Sequence, residues 1–449
     1  MRLLKGVPVK FYGRKAELDE LATIRRLSFE SSRFTVVTGR RRVGKTELVE
    51  KAFRDGKTPY LYLLISQRAE KDLCVILQED ISRVLSRPLL GQAERFGQLF
   101  RAVLEYSIET PLTLVIDEFQ EFDRIDPAIF TDIQGVWDEL HRKARVNLVV
   151  CGSVNRLMNK IFFDDSQPLY GRNTGKIHLD PFPVDLVKTI LAEHAPKYTP
   201  RDLLALWTMT GGVARYVELL MDAKATTRKK MIETVFGLSS AYVDEGRVIL
   251  GQEFGRESGV YFSILSAIAS GRTSYAEIRN VIGAEIGGQL TKLETVYSLI
   301  EKVQPAYETP TSRNCQYRIN DCFFRFWFRF VYKYLHLLEQ KQYAELRTLV
   351  ERDLDQFSGF ALERYFRAKF LAAHRYTRVA GWWDRKSENE IDLVCENEVT
   401  DTLDFFEVKC DKTRLRQLDL QLKVAAFFRK HPDLQREKVR IDGLSLANM

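Results

Sequence analysis

The chain has 449 residues, 45% of them hydrophobic and 29% charged, with a formal net charge of +7. Its length and apolar share exceed what one core needs, so several globular domains are expected and disordered or fibrous classes are excluded. No stretch of about 18 residues is apolar without a charge, and the opening MRLLKGVPVK lacks an apolar signal core, so the sequence reads as cytoplasmic with no membrane partner.

Up to about residue 180, apolar segments of strand length (FTVVTG, PYLYLLIS, LTLVIDEF, NLVVCGS, KIHLD) alternate with helical patterns. That alternation predicts a parallel sheet flanked by helices, an α/β core over 1–180. Residues 181–238 turn helical, with PVDLVKTILAEH and RDLLALWTM before a Gly211-Gly212 break, and fit a helical lid. Over 239–350, short helices precede QPAYETPTSRNCQYRIN, a two-stranded ribbon, which is the winged-helix order; a helical connector follows. In that connector, DCFFRFWFRFVYKYLHLLEQ carries aromatics at helical spacing, which favours core packing over base stacking. The last stretch, 351–449, reads as helix, hairpin and helix.

Six cysteines, Cys74, Cys151, Cys315, Cys322, Cys395 and Cys410, form no C-x-x-C pair, so reduced, mostly buried thiols are expected and a zinc site is not. The positive charge suggests nucleic acid as a partner, yet 351–449 carries 18 Lys and Arg against 18 Asp and Glu. Any DNA contact there must use a local basic face.

The strongest motif is GRRRVGKT, residues 39–46, which matches G-x-x-x-x-G-K-[ST] between a strand and the helix KTELVEKAF. Gly39 and Gly44 permit a tight turn whose amides, across Arg40, Arg41, Arg42 and Val43, face phosphates at a helix start. Lys45 is expected to reach the β- and γ-phosphates of ATP, and Thr46 to offer its hydroxyl to Mg²⁺. The strand LTLVIDEF then delivers Asp117 and Glu118 at its carboxyl end. Asp117 is expected in the Mg²⁺ shell, and Glu118 is expected to orient or deprotonate the attacking water. Ser153, with Asn155 just beyond it, ends a further strand, either sensing the γ-phosphate or capping the next helix. Arg172 follows a turn in PLYGRNTGKIHLD, either as a cation for the γ-phosphate or as a solvated surface arginine.

Near the end, ENEIDLVCENEVTDTLDFFEVKC reads as a hairpin with Asp392 on one strand and Glu407 on the other. Alternation puts Glu407 and Lys409 on the face of Phe405, with Phe406 and Val408 opposite. In GFALERYFRAKF, Glu363 shares an apolar stripe with Phe360, Phe366 and Phe370. A carboxylate there needs a partner, which makes Glu363 a candidate for the same site.

Taken in order, FYGRKAELDEL, GRRRVGKT, IDEFQ, GSVNRLM, LYGR and TGGVARYV resemble the archaeal-type ATPases of the AAA+/STAND class of P-loop NTPases, over about residues 10–235. The resemblance implies a nucleotide-driven switch with a helical lid. It also implies Arg172 as an arginine finger, working within one subunit or across a self-association contact. Ala214 stands where that family usually has a proline. The run Glu363, Asp392, Glu407-x-Lys409 resembles the PD-(D/E)XK nuclease-like domain often joined to such ATPases. That likeness implies a restriction-endonuclease-like fold over 351–449, with Asp392 and Glu407 ligating Mg²⁺, Lys409 positioning the nucleophile and Glu363 orienting the shell. The expected function is therefore an ATP-hydrolysing switch coupled to a winged-helix and a nuclease-like domain acting on DNA. The alternatives are a non-nucleolytic ATP-dependent regulator and an interaction platform that binds ATP without turnover.

Overall fold

Strands β1 (Arg33–Thr38), β2 (Tyr60–Leu64), β3 (Leu112–Asp117), β4 (Val146–Gly152) and β5 (Gly175–His178) form one all-parallel sheet in the order β2-β3-β4-β1-β5. These assignments come from a computed structural model describing residues 10–449 except 55, 57, 87–90, 154, 239, 255–257, 310, 311, 313, 386, 387 and 437. Every residue of β3 and β4 is buried, as a strand covered on both faces must be, and that is why both read as largely apolar runs, with Thr113 and Asn147 buried among them. One face packs Phe34, Leu114, Leu148 and the helices 96–109 and 128–140; the other packs Val37, Val115, Val149 and the helix Lys45–Phe53. The chain divides into two compact units, Met1–Phe182 and Pro183–Met449.

The second unit begins with helices at 184–194, 200–210, 214–222 and 228–235. They pack on the aromatic helix that starts at Cys322: the Tyr216 ring stacks on Phe323 at 4.2 Å, and Tyr242 donates to the carbonyl of Met209 at 3.0 Å. Helices 258–269, 275–282 and 287–291 precede the antiparallel ribbon of β6 (Ile300–Val303) and β7 (Gln316–Ile319), the element order expected from sequence. In FFRFWFRF, Phe323, Phe324, Phe326, Trp327, Phe328 and Phe330 are all buried, so these rings are core and unavailable to bases. Arg325 is half-buried among them, its guanidinium over Phe357 and Phe360, and Arg329 pairs with Asp353 at 3.0 Å.

A mixed sheet closes the chain: β8 (Arg378–Trp383), β9 (Glu390–Asn397) and β10 (Thr402–Val408) are antiparallel, and β11 (Lys438–Leu444) runs parallel to β10. Phe405 and Phe406 enter different cores on opposite faces, as period-two alternation requires. The loop joining β6 to β7 covers the β8 end of this sheet. Ala306 donates its amide to Gly381 O at 2.8 Å, Trp383 Nε1 donates to Asn314 at 3.1 Å, and Tyr307 donates to the Glu396 carboxylate at 2.7 Å. A sheet edge that would otherwise invite pairing is thereby occupied.

Trp327 anchors the second unit: it is fully buried, donates Nε1–H to Val243 O at 2.8 Å, and lies so close to Gly246 that a Cβ there would collide with its ring. Trp327→Ala is expected to cost about 3–5 kcal/mol of stability, read from urea denaturation. Gly246→Ala should destabilise in the same direction.

Candidate phosphate site and carboxylate cluster

The phosphate loop leaves β1 at Thr38 and enters the helix at Lys45. Three of its residues have positive φ, Gly39 at 147°, Arg42 at 74° and Gly44 at 94°, which turns successive amides toward one concavity. Gly39 has a second reason to be glycine: a Cβ there would lie 2.6 Å from the carbonyl oxygen of Leu179. Lys45 is buried and bridges the loop, donating to Gly39 O at 2.8 Å and Arg40 O at 3.2 Å. Burial pulls its ammonium pKa down, opposed by Cys151, Glu118 and Asp117.

Because β4 lies between β1 and β3, the carboxyl ends of all three meet at the loop. Thr46 Oγ1 donates to Asp117 Oδ2 at 3.0 Å, and Tyr62 from β2 donates to the same oxygen at 2.6 Å. The Tyr62 hydroxyl is pushed well above its usual pKa by burial and by that hydrogen bond, so it stays a donor. Glu118 sits in the left-handed region at φ 53°, its amide donating to Asp117 Oδ1 at 2.8 Å. Its carboxylate oxygen Oε2 accepts from Ser153 at 2.9 Å and from the Gln120 amide. Ser153 thus steadies Glu118, while the Asn155 side chain lies outside the described residues. A hydroxyl and a carboxylate oxygen 3.0 Å apart at a helix start are hard oxygen donors that suit Mg²⁺.

Arg172 does not join this group in its own chain, which fits the surface arginine that the sequence also allowed. β5 runs parallel to β1 with Gly175 opposite Thr35, and Thr174 donates its amide to Phe34 O at 2.7 Å. Arg172 therefore lies beside the start of β1, while the loop follows its end, about 15 Å along a strand. There its guanidinium holds Asp138 through Nε at 3.0 Å and a terminal nitrogen at 2.8 Å.

Sequence reading missed Tyr62, Gln120 and Arg14. The alternation in PYLYLLIS places Tyr60 and Tyr62 on one face, and Gln120 lies within IDEFQ, so both had a visible signal. Arg14 stands in the motif FYGRKAELDEL, but its contacts, to Val43 O at 3.3 Å and Asp180 O at 2.6 Å, span residues far apart in the chain and leave no local trace.

In the second unit, the four sequence-predicted residues do converge. Lys409 Nζ lies 2.8 Å from Glu407 and 3.5 Å from Asp392, and Asp392 accepts the Val408 amide at 2.7 Å. Glu363 and Lys409 line a cavity of about 540 Å³ with Glu390, Arg318 and Arg325. The Glu363 carboxyl is pushed up to about 8 by desolvation and by Asp392, against Arg318 and Arg325; Asp392 rises to about 6, again first by desolvation. Lys423, from the helix Gln417–Lys430, contacts both Glu407 oxygens at 3.0 Å and shares that carboxylate with Lys409. Glu407 thus has two ammonium groups on it, and among the described residues no three His, Cys, Asp or Glu side chains are grouped to hold a metal.

Between pH about 4.5 and about 8, folded Glu363 keeps a proton that the unfolded chain has released, so rising pH across that window favours unfolding. Glu363→Gln should flatten the decline, leaving the variant more stable than the parent at pH 8 by more than about 1 kcal/mol in urea titrations.

Residues 11–220 match a family model described as an ATPase domain predominantly from Archaea, and residues 327–419 match one described as Archaea bacterial proteins of unknown function. An uncharacterized protein of Methanocaldococcus jannaschii is 26% identical over 408 residues, spanning 89% of this chain and 87% of that one. Among solved structures, the Walker-type ATPase of Pyrococcus abyssi superposes with a TM-score of 0.52 at 21% identity, covering 71% of this chain and 96% of that one. The ORC2 protein of Aeropyrum pernix, solved as ADPNP–ADP complexes, gives 0.51 at 16% identity, covering 75% and 97%. With the loop and strand order described above, the first unit has the fold of a P-loop NTPase, and residues 11–220 are similar to an ATPase domain found predominantly in Archaea.

Proposed function

We propose that the chain is an ATP-hydrolysing switch whose nucleotide state sets the state of its second unit. The observation that carries this reading is the junction of Thr46, Asp117, Glu118 and Lys45 at one edge of the parallel sheet. The loop amides and Lys45 bind the β- and γ-phosphates. Thr46 and Asp117 hold Mg²⁺, which when bound neutralises phosphate charge. Glu118, steadied by Gln120 and Ser153, orients the attacking water and accepts its proton. Arg172, remote from its own loop, belongs in this scheme only as a residue offered to a second copy of the chain.

Glu118→Gln should lower steady phosphate release by about 10²-fold or more while nucleotide affinity stays within a few-fold. Unchanged turnover would remove Glu118 from the role of base.

A second reading, divalent-metal-dependent cleavage of DNA by Glu363, Asp392, Glu407 and Lys409, is favoured by their convergence in one place. The double lysine hold on Glu407 and the occupied β6–β7 loop weigh against it, and favour a second unit that regulates without cutting. Incubation of parent and Asp392→Ala with plasmid and single-stranded DNA in Mg²⁺ or Mn²⁺ separates the two. We expect indistinguishable, negligible cleavage by both; metal-dependent cutting lost in the variant would establish the nuclease.

A further inference from the structure

We propose that Arg14 is a positioning residue that ties the phosphate loop to the last residues of the first unit, so that loading of the loop is felt where the chain passes on at Pro183. The proposal rests on the ATP-binding reading above and assigns a role to FYGR, a motif the phosphate chemistry itself does not use.

The geometry is specific. Arg14 follows Gly13, and both have positive φ, 62° and 65°, a conformation that L side chains such as that of Arg14 avoid. Its side chain is only 8% exposed. One terminal nitrogen donates both to Val43 O, inside the loop, at 3.3 Å and to Asp180 O at 2.6 Å. The other meets Glu17 at 3.2 Å, and the guanidinium carbon lies 5.1 Å from the centre of the Phe182 ring. Arg14 thus grips the loop, the segment after β5 and the final residue of the unit together.

A second contact joins the same partners. The position a Gly39 Cβ would take is 2.6 Å from Leu179 O and 3.2 Å from Val43 Cγ2, and Leu179 donates its amide to Thr38 O at 2.8 Å. Loop and 179–182 segment are therefore packed without slack, and a shift of Val43 on phosphate binding moves the atom to which Arg14 is bonded. Lysine cannot substitute: one ammonium lacks the planar fork that meets two carbonyls, a carboxylate and a ring at once.

The test uses the full chain and hydrogen exchange of the peptide covering 179–187, with and without a non-hydrolysable ATP analogue. In the parent, the analogue should slow exchange there by about fivefold or more. Arg14→Ala and Arg14→Lys should bind the analogue within about threefold of the parent yet lose that slowing, with kcat reduced by about ten- to a hundredfold. Glu17→Gln, which removes only the side contact, should behave as the parent. Arg14 variants that keep the nucleotide-dependent slowing overturn the proposal, as do folded Arg14 variants that no longer bind the analogue, since Arg14 would then be a nucleotide ligand. A parent that binds no analogue overturns the ATP-binding reading itself, and this proposal with it.

Discussion

One hydrogen bond, from the Thr46 hydroxyl to Asp117, holds the phosphate site together, and it exists because β1 and β3 end level on either side of β4. A parallel sheet with that strand order brings a helix start and two carboxylates to one edge, joining Thr46 and Asp117 across 71 residues of chain. The burial of β3 and β4 on both faces makes their ends rigid, so Asp117 and Ser153 are presented from fixed positions. Glycine at 39 follows from the same constraint, since the loop must pass Leu179 at a distance that admits no side chain.

The parts of this arrangement legible in the sequence are those written in consecutive residues. GRRRVGKT and LTLVIDEF each carry strand, turn and chemistry in one run, and the hairpin of Asp392 and Glu407 follows from alternation across a polar turn. The pairing of Arg172 with Asp138 is not legible, because it depends on which level of β1 pairs with β5, and register between strands about 140 residues apart leaves no local trace. Lys423 escaped notice for a similar reason. It stands on a helix whose face toward β10 is set by Leu420, Val424 and Phe427, and only packing brings its ammonium to Glu407.

The second unit combines a recognisable constellation with an unexpected state of it. Glu363, Asp392, Glu407 and Lys409 gather as their pattern suggested, yet desolvation keeps two of the carboxyls reluctant to ionise and two lysines neutralise a third. The ribbon loop is bonded to β8 and β9.

The chemistry of the first unit depends on the phosphate loop and its buried lysine. Titration calorimetry of ATP with Mg²⁺ into parent and Lys45→Ala protein tests it most directly, because Lys45 is buried beneath the loop and its loss removes the cation without opening the sheet. The account predicts saturable binding by the parent and loss of about 100-fold or more in affinity in the variant, the cost of a desolvated charge-assisted contact. Equal affinity in the two proteins would contradict it.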